Sequence, residues 1–593
     1  MDTLSIKVNG MPIEAPKGAT VLEASRLAGV EIPTLCFLKE INEIGACRIC
    51  VSEVAEMRGP ALGPKRLVAS CVYPISNGME IYTNSPKVTT ARRQTLELIL
   101  STHDRKCLSC VRSGNCELQK LCRDYKVENE GRFDGERVKY EIDASASHMI
   151  RDNNKCILCR RCIAVCEKTQ GIGVIGPNER GFSSHIGSPF DLGLGDTSCV
   201  SCGQCIAVCP TGALAEKDFT QEVFAALADP SKHVIVQTAP AVRAALGEMF
   251  GMPIGTDSEG KMVAALRRLG FDQVYDTNFS ADLTIMEEAN ELIERIQNGG
   301  KLPMITSCSP GWVKYCEHYF PGLVDNLSSC KSPQQMFGAI AKSYYAEKNG
   351  IDPADIVVVS VMPCTAKKFE IGRPDEDANG VPDVDISITT RELGRMIERA
   401  GIQFNMLPDE KFDEPLGIYT GAGAIFGATG GVMEAALRTA VETLTGEELP
   451  DVDFVDVRGT AGIKEKSYSV AGMNIKVAVA SGLANAKKLL KSIESGEADY
   501  QFVEIMACPG GCVNGGGQPQ QPGYIRNTVD IRAKRAAVLY DIDRNSPIRK
   551  SHENPAIKAL YAEYLGKPGS EKAHHLLHTT YVKRGIVDDP RKK

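Results

Sequence analysis

Nowhere in this chain does an apolar run approach the roughly 20 residues that a membrane span needs. The opening residues, MDTLSIKVNG, contain no basic segment leading into an apolar one, so no secretory signal is read there and the cytoplasm is the expected compartment. The net charge of -7 argues mildly against nucleic acid or an anionic membrane as partner. Convincing nucleotide loops are missing too. Gly421-Ala-Gly-Ala-Ile-Phe-Gly427 has Phe426 where a dinucleotide fingerprint needs its third glycine, and Gly255–Lys261 is followed by Met262 where a phosphate loop needs Ser or Thr. Hydrophobic residues at 43% and charged residues at 24% are ordinary for a soluble protein. A length of 593 residues exceeds a single core and predicts about four domains.

Cysteine is abundant: there are 22, of which 16 precede residue 210. In a reducing compartment such clustering points to metal ligands rather than disulfides. The strongest signal is an internal repeat. Cys156, Cys159, Cys162 and Cys166 follow C-x2-C-x2-C-x3-C, as do Cys199, Cys202, Cys205 and Cys209, the last preceding Pro210. In that pattern three thiolates wrap one cubane and the fourth crosses to the other. One 4Fe–4S cluster is therefore assigned to Cys156, Cys159, Cys162 and Cys209, and a second to Cys199, Cys202, Cys205 and Cys166. Cys36, Cys47, Cys50 and Cys71 approach the plant-type 2Fe–2S spacing, with a longer first gap. His103, Cys107, Cys110 and Cys116 form H-x3-C-x2-C-x5-C, for which spacing alone leaves a Cys3His zinc site open. A redox-inert zinc would, however, interrupt an electron path between two iron–sulfur modules. The expected picture is a wire of four clusters strung along the chain, with Cys122 as a buried apolar thiol.

The predicted organisation is an α/β catalytic domain with cysteine loops at its strand ends, preceded by small α+β iron–sulfur domains. The expected divisions are 1–78 (2Fe–2S ferredoxin-like), 79–125 (His/Cys3 cluster), 126–146 (linker), 147–219 (two-cluster ferredoxin-like) and 220–593 (catalytic). Leu4–Val8 and Met11–Ile13 around Asn9-Gly10 predict a hairpin. Beyond residue 220, β-branched runs at Val234–Thr238, Ile356–Val361, Val477–Ala480 and Phe502–Ile505 alternate with helical stretches. The turns after Met304-Ile305, Val357–Val361 and Phe502–Ile505 carry Cys308, Cys364, and Cys508 with Cys512. In an open α/β sheet, ligands bind beyond the carboxyl ends of strands, so one site assembled from distant segments is expected.

Three segments, Thr306-Ser-Cys-Ser-Pro-Gly-Trp312, Val361-Met-Pro-Cys-Thr-Ala-Lys-Lys-Phe-Glu370 and Glu504-Ile-Met-Ala-Cys-Pro-Gly-Gly-Cys-Val-Asn-Gly-Gly-Gly-Gln-Pro519, resemble in order the signature segments of FeFe (iron-only) hydrogenases. The front of the chain is similar to the 2Fe–2S domain of long hydrogenases and of complex I. The His103 motif resembles a histidine-ligated 4Fe–4S cluster of both families, and Ser551–Tyr564 resembles a hydrogenase small-subunit tail. The resemblance implies three accessory 4Fe–4S clusters, one 2Fe–2S cluster and an H-cluster, a cubane joined to a two-iron subcluster carrying CO, cyanide and azadithiolate. Such a site interconverts dihydrogen with two protons and two electrons.

By position, Cys364, Cys508 and Cys512 would hold the cubane, with Cys512 as the bridge. Lys367 would meet one cyanide, Ala239 and Pro240 another, while Met362 and Met506 wall the pocket and Gly515, Gly516 and Gly517 allow close backbone approach. Glu288, Glu291, Ser328 and Arg295 would carry protons, the two glutamates sharing a helix face. Most family members read Thr-Ser-Cys-Cys-Pro, the second cysteine binding iron and the first relaying protons; here the second is Ser309. Ligand chemistry favours Cys308 on iron and Ser309 as relay, whereas alignment gives the reverse. Cys308 as ligand is the expectation adopted. The implied partners are a flavin- and NAD(P)-binding iron–sulfur subunit and a small 2Fe–2S thioredoxin-like subunit, with ferredoxin as a further carrier and electron bifurcation as the coupling. A stand-alone ferredoxin-dependent hydrogenase is the first alternative, and a complex I-like electron-transfer subunit the second.

Overall fold

The computed structural model describes residues 2–586. Asn9 (φ 49°) and Gly10 (φ 86°) close a two-residue turn between β1 (Thr3–Val8) and β2 (Met11–Pro16), with Val8 opposite Met11. Positive φ at both positions is what a tight hairpin of this hand requires. Helix α1 (Val21–Leu27) starts in a capping box between Thr20 and Glu23. With β3 (Val51–Ala55), β4 (Arg66–Ala69) and β5 (Glu80–Tyr82) the first unit forms a five-stranded sheet in the order β2-β1-β5-β3-β4. Helix α2 (Pro86–Thr102) delivers His103 at its C-terminal end, and α3 (Glu117–Asp124) takes Cys116 as its N-cap.

In the repeat region, Leu158 and Arg160 have φ of 52° and 62°, and Ser201 and Gly203, at the matching positions, 61° and 66°. Left-handed residues between successive cysteines coil the chain tightly and turn backbone N–H groups towards one centre. The internal repeat in sequence is thus a repeat in backbone conformation.

The catalytic half contains two four-stranded sheets. One joins β6 (His233–Thr238), β7 (Gln273–Asp276), β9 (Ile356–Met362) and β10 (Ile386–Thr389) in the order β7-β6-β9-β10, all parallel. The other joins β8 (Met304–Ile305), β11 (Ile463–Val470), β12 (Met473–Ser481) and β13 (Phe502–Met506) in the order β8-β13-β12-β11, parallel except for the β11–β12 hairpin. Strands β6 and β9 are buried along nearly their whole length, as expected of parallel strands covered on both faces. Long helix α4 (Thr277–Gln297) follows β7, and α5 (Pro310–Tyr319) follows β8 with proline at its first turn. Residues from the carboxyl ends of β6, β8, β9 and β13 converge on one cavity. The predicted strand-end site is therefore built from both sheets.

The glycines of Gly421–Gly427 are used for packing. A Cβ at Gly421 would meet Asp543 Oδ1 at 2.2 Å, one at Gly423 would meet Asn278 O at 2.6 Å, and one at Gly427 would meet Leu539 at 2.5 Å.

Candidate metal centres and active site

None of the 22 cysteines forms a disulfide. One cavity of about 30 Å³ is lined by Cys199, Cys202, Cys205 and Cys166, and another of about 20 Å³ by Cys156, Cys159, Cys162 and Cys209. Each quartet is completed by the last cysteine of the other repeat. Cys36, Cys47, Cys50 and Cys71 also meet: Cys50 Sγ lies 3.3 Å from Cys71 Sγ, and Cys36 is drawn down by the thiols of Cys47 and Cys71. His103 is buried, its Nδ1 has no protein partner, and burial pushes the ring down to about 4, so it stays neutral and able to bind a metal. Among the described residues, only Glu442–His552–Glu553 and Glu434–Asp453–Asp543 bring three ligand atoms within 4.8 Å of one another. Tetrahedral zinc with 2.3 Å bonds would hold its sulfurs about 3.8 Å apart. Neither the cysteine quartets nor the His103 set is among those groups.

The four sites do not lie in a single line. Asn42 donates to both Cys36 O (2.8 Å) and Cys159 O (3.0 Å), tying the first unit to the Cys156–Cys162 loop. Arg112 donates to Cys209 O at 2.8 Å and Cys116 Sγ lies 3.7 Å from Pro210 O, tying the His103 unit to the same site. The expected string is a fork, with two outer sites meeting at one inner site. The other inner site faces the catalytic loops: Gln204 donates to Asn514 O at 2.8 Å and Thr365 to Ser201 O at 2.7 Å. A Cβ on Gly515 would strike Pro363 O at 2.1 Å, and one on Gly516 would strike Cys202 O at 2.3 Å. The close approach these glycines allow is to neighbouring backbone.

The catalytic cavity, about 60 Å³, has Ala239 and Pro240 on one wall, Met362 and Met506 on others, and Cys308, Cys364, Cys512 and Lys367 reaching it. Cys508 sits outside that lining, buried, with Cys364, Cys202 and Cys512 close enough to push its thiol up after burial itself. Cys364, Cys508 and Cys512 thus form one group. The Cys308 thiol is pushed up by burial and then by Glu288 and Cys512. Ser309 faces elsewhere: its Oγ accepts from Ala507 N at 3.3 Å, one residue before Cys508. Cys308 thus neighbours Glu288 and Cys512, and Ser309 the loop that carries Cys508. Lys367 lines the same cavity. Its ammonium donates to Ser332 Oγ (2.7 Å), Glu370 Oε2 (2.7 Å) and Cys308 O (3.3 Å), which uses all three of its protons on protein oxygens.

Glu288 is fully buried, and neither carboxylate oxygen has a partner at hydrogen-bonding geometry. Burial, reinforced by Glu291, raises its pKa to about 8, with Ser328 and the Ser307 N–H pulling more weakly the other way. Glu291 accepts from Ser328 Oγ at 2.8 Å, from Ser329 N at 3.1 Å and from Arg295 at 2.5 Å. Arg295, only partly buried, also donates to Leu327 O at 2.8 Å. A file of polar groups therefore runs from Cys308 through Glu288, Ser328 and Glu291 to Arg295 near the surface. Residues not anticipated join it. Cys330 Sγ lies 3.8 Å from Glu291, and Ser329 Oγ bonds His578 Nδ1 at 2.8 Å. Glu287 binds Tyr561, Gly569 N and His578, anchoring the C-terminal segment. Glu287 stood next to a singled-out residue, but no local pattern marked its partners.

Clustered free cysteines beside a cysteine-walled cavity with a buried carboxylate file point to an iron–sulfur redox enzyme. Residues 232–516 match the iron only hydrogenase large subunit, C-terminal domain, and 529–584 the iron hydrogenase small subunit. Residues 1–86 match a 2Fe-2S iron-sulfur cluster binding domain, 92–130 the NADH-ubiquinone oxidoreductase-G iron-sulfur binding region, and 155–213 a 4Fe-4S dicluster domain. The chain is 51% identical to the NADP-reducing hydrogenase subunit HndD of Solidesulfovibrio fructosivorans, over 98% of this chain and 100% of that one. It is 46% identical to iron hydrogenase 1 of Clostridium pasteurianum, again over 98% and 100%. An apo FeFe-hydrogenase structure from Chlamydomonas reinhardtii superposes with a TM-score of 0.56 at 46% identity, covering 62% of this chain and 100% of that one. The chain belongs to the iron-only (FeFe) hydrogenase family. It is a hydrogenase with accessory iron–sulfur domains.

Proposed function

We propose that this chain is the catalytic subunit of a multi-subunit complex that exchanges electrons between dihydrogen and NAD(P). The observation that carries this reading is the 51% identity, across 98% of the chain, to a subunit named as an NADP-reducing hydrogenase. That span includes every accessory cysteine module. In this reading there are one 2Fe–2S and three accessory 4Fe–4S clusters, and the fork gathers electrons at its two outer sites for flavin- and NAD(P)-binding partners.

When bound, the H-cluster supplies the redox iron at which protons and electrons combine. Cys364, Cys508 and Cys512 would hold its cubane, with the fourth position falling to Ser309. Cys308 passes a proton between the cavity and Glu288, whose pKa of about 8 suits exchange near neutrality. Ser328 hands it to Glu291, and Arg295 marks the exit. Lys367 contributes positive charge beside the cavity and fixes the Cys308 carbonyl, while Met362 and Met506 keep water out.

The test is the purified, fully loaded chain. With dihydrogen it should reduce a viologen dye but not NAD(P)+, and nucleotide reduction should return only with co-purifying subunits that carry FMN. Stoichiometric NADH binding to the single chain would refute the reading. The 46% identity to iron hydrogenase 1 over 98% of the chain keeps a stand-alone, ferredoxin-dependent enzyme as the second reading. Full turnover with ferredoxin in the absence of any partner would favour it.

A further inference from the structure

His148 is 2% exposed and immediately precedes the short strand Met149–Arg151, which pairs with Leu214–Glu216. Its carbonyl accepts from Lys217 N at 3.0 Å, yet neither ring nitrogen has a hydrogen-bond partner in the protein. The side chain lines the cavity that also holds Cys166, Cys199, Cys202 and Cys205. Gln170, wholly buried on the same cavity, presents a similar gap: its Oε1 accepts from Leu483 N at 3.0 Å while its Nε2 has no partner. Around them the walls are mostly apolar, among them Ile172, Val174, Ile186 and Leu194, with Arg151 and Gln204 as the other polar side chains.

An imidazole ring carries at least one N–H donor in either protonation state. A buried donor without an acceptor is costly, and such gaps in a folded protein mark an absent ligand or a functional role. In a mostly apolar cavity walled by four thiols, the missing acceptors are the sulfurs of the group those thiols hold.

Resting on the cluster reading given above, we propose that His148 donates its ring N–H to a sulfur of the iron–sulfur cluster bound by Cys166, Cys199, Cys202 and Cys205, and so raises that cluster's reduction potential. A donor aimed at a cluster sulfur stabilises the more negative, reduced form. Because Gly516 packs against Cys202 O, this is the site adjoining the catalytic loops. A higher potential there makes it a readier sink for electrons leaving the active site and biases the wire towards dihydrogen oxidation. His148 is a positioning residue, since it would touch the wire and not the reacting atoms.

The test uses the full chain loaded with ordinary iron–sulfur clusters and no two-iron subcluster, so that turnover plays no part. The signal of this cluster is identified by its change in Cys202→Ser, and its midpoint is read by an EPR-monitored redox titration. At the wild-type midpoint, His148→Phe should lower the reduced-to-oxidised ratio of this cluster about three- to tenfold, roughly 30–60 mV for one electron. The other clusters should stay unmoved, and His148→Gln, which keeps an N–H, should recover most of the loss. Exchangeable-proton ENDOR on the wild-type cluster should show a coupling that His148→Gln alters, which keeps the test valid even if the phenylalanine variant fails to hold its cluster. An unchanged midpoint in His148→Phe, or an equal shift of every cluster, would overturn the proposal. Loss of no signal in Cys202→Ser would instead overturn the cluster reading beneath it.

Discussion

Replacing Glu288 by glutamine removes a titrating group while keeping its shape and its place on α4. The carboxyl is wholly buried, and its pKa of about 8 stands far above the ordinary glutamate value of roughly 4.3. The folded protein therefore holds this proton more tightly than the unfolded chain does. The resulting stability is fully present below about pH 4.3 and is lost progressively as the pH rises to about 8. At about 1.4 kcal/mol per pH unit, the loss is on the order of 5 kcal/mol, softened where the structure relaxes. Glutamine cannot ionise and should escape it. Melting of Glu288→Gln, compared with wild type in the same cluster-loaded state, should coincide near pH 4 and diverge in favour of the variant towards pH 8 and above. Turnover should move the opposite way. Loss of a positioned acid–base group typically costs 10²–10⁴-fold, and the variant should fall in that range. Wild-type dihydrogen oxidation, which needs Glu288 to accept a proton, should rise through pH 8; evolution, which needs it to donate, should fall there. A variant that keeps most of its turnover, or whose melting gap is independent of pH, would refute the reasoning.

Cys308→Ala should abolish turnover while leaving the EPR spectrum of the catalytic cubane nearly intact, whereas Ser309→Cys should change that spectrum and preserve turnover; the opposite pattern would return Cys308 to the iron. His103→Ala should slow electron exchange with partners yet leave hydrogen–deuterium exchange at the active site close to wild type, and equal loss of both would indicate a structural role. Protein reconstituted without the machinery that builds the two-iron subcluster should hold its cubanes by iron analysis and evolve no dihydrogen by gas chromatography. Robust evolution from such protein would contradict an H-cluster.

The cysteine spacings were informative because a cluster bound by residues two or three apart is shaped by local backbone. Left-handed residues Leu158, Arg160, Ser201 and Gly203 coil each repeat around its own centre. The β-branched runs that became β6, β9 and β13 were legible for a similar reason: parallel strands buried on both faces read as continuous apolar segments. The polar turns after them marked the site. The pair of glutamates on α4 was visible as helical spacing, but its raised pKa was not, since that arises from burial by other segments.

By itself, the sequence determined which residue types are available, how they are spaced, and that several strand ends carry thiols. Tertiary structure decided what each one faces. Cys308 and Ser309 are adjacent on extended backbone, Ser309 having φ −102° and ψ 97°, so their side chains point to opposite sides. Nothing in the order Cys-Ser says which side is the cavity. That is settled by the pairing of β8 with β13, Met304 opposite Phe502 and Ile305 opposite Val503, which places the following turn beside Ala507. The fork has the same origin. Asn42 and Arg112 reach cysteine carbonyls 117 and 97 residues away. Contacts over such separations come from packing between units, which local spacing does not encode.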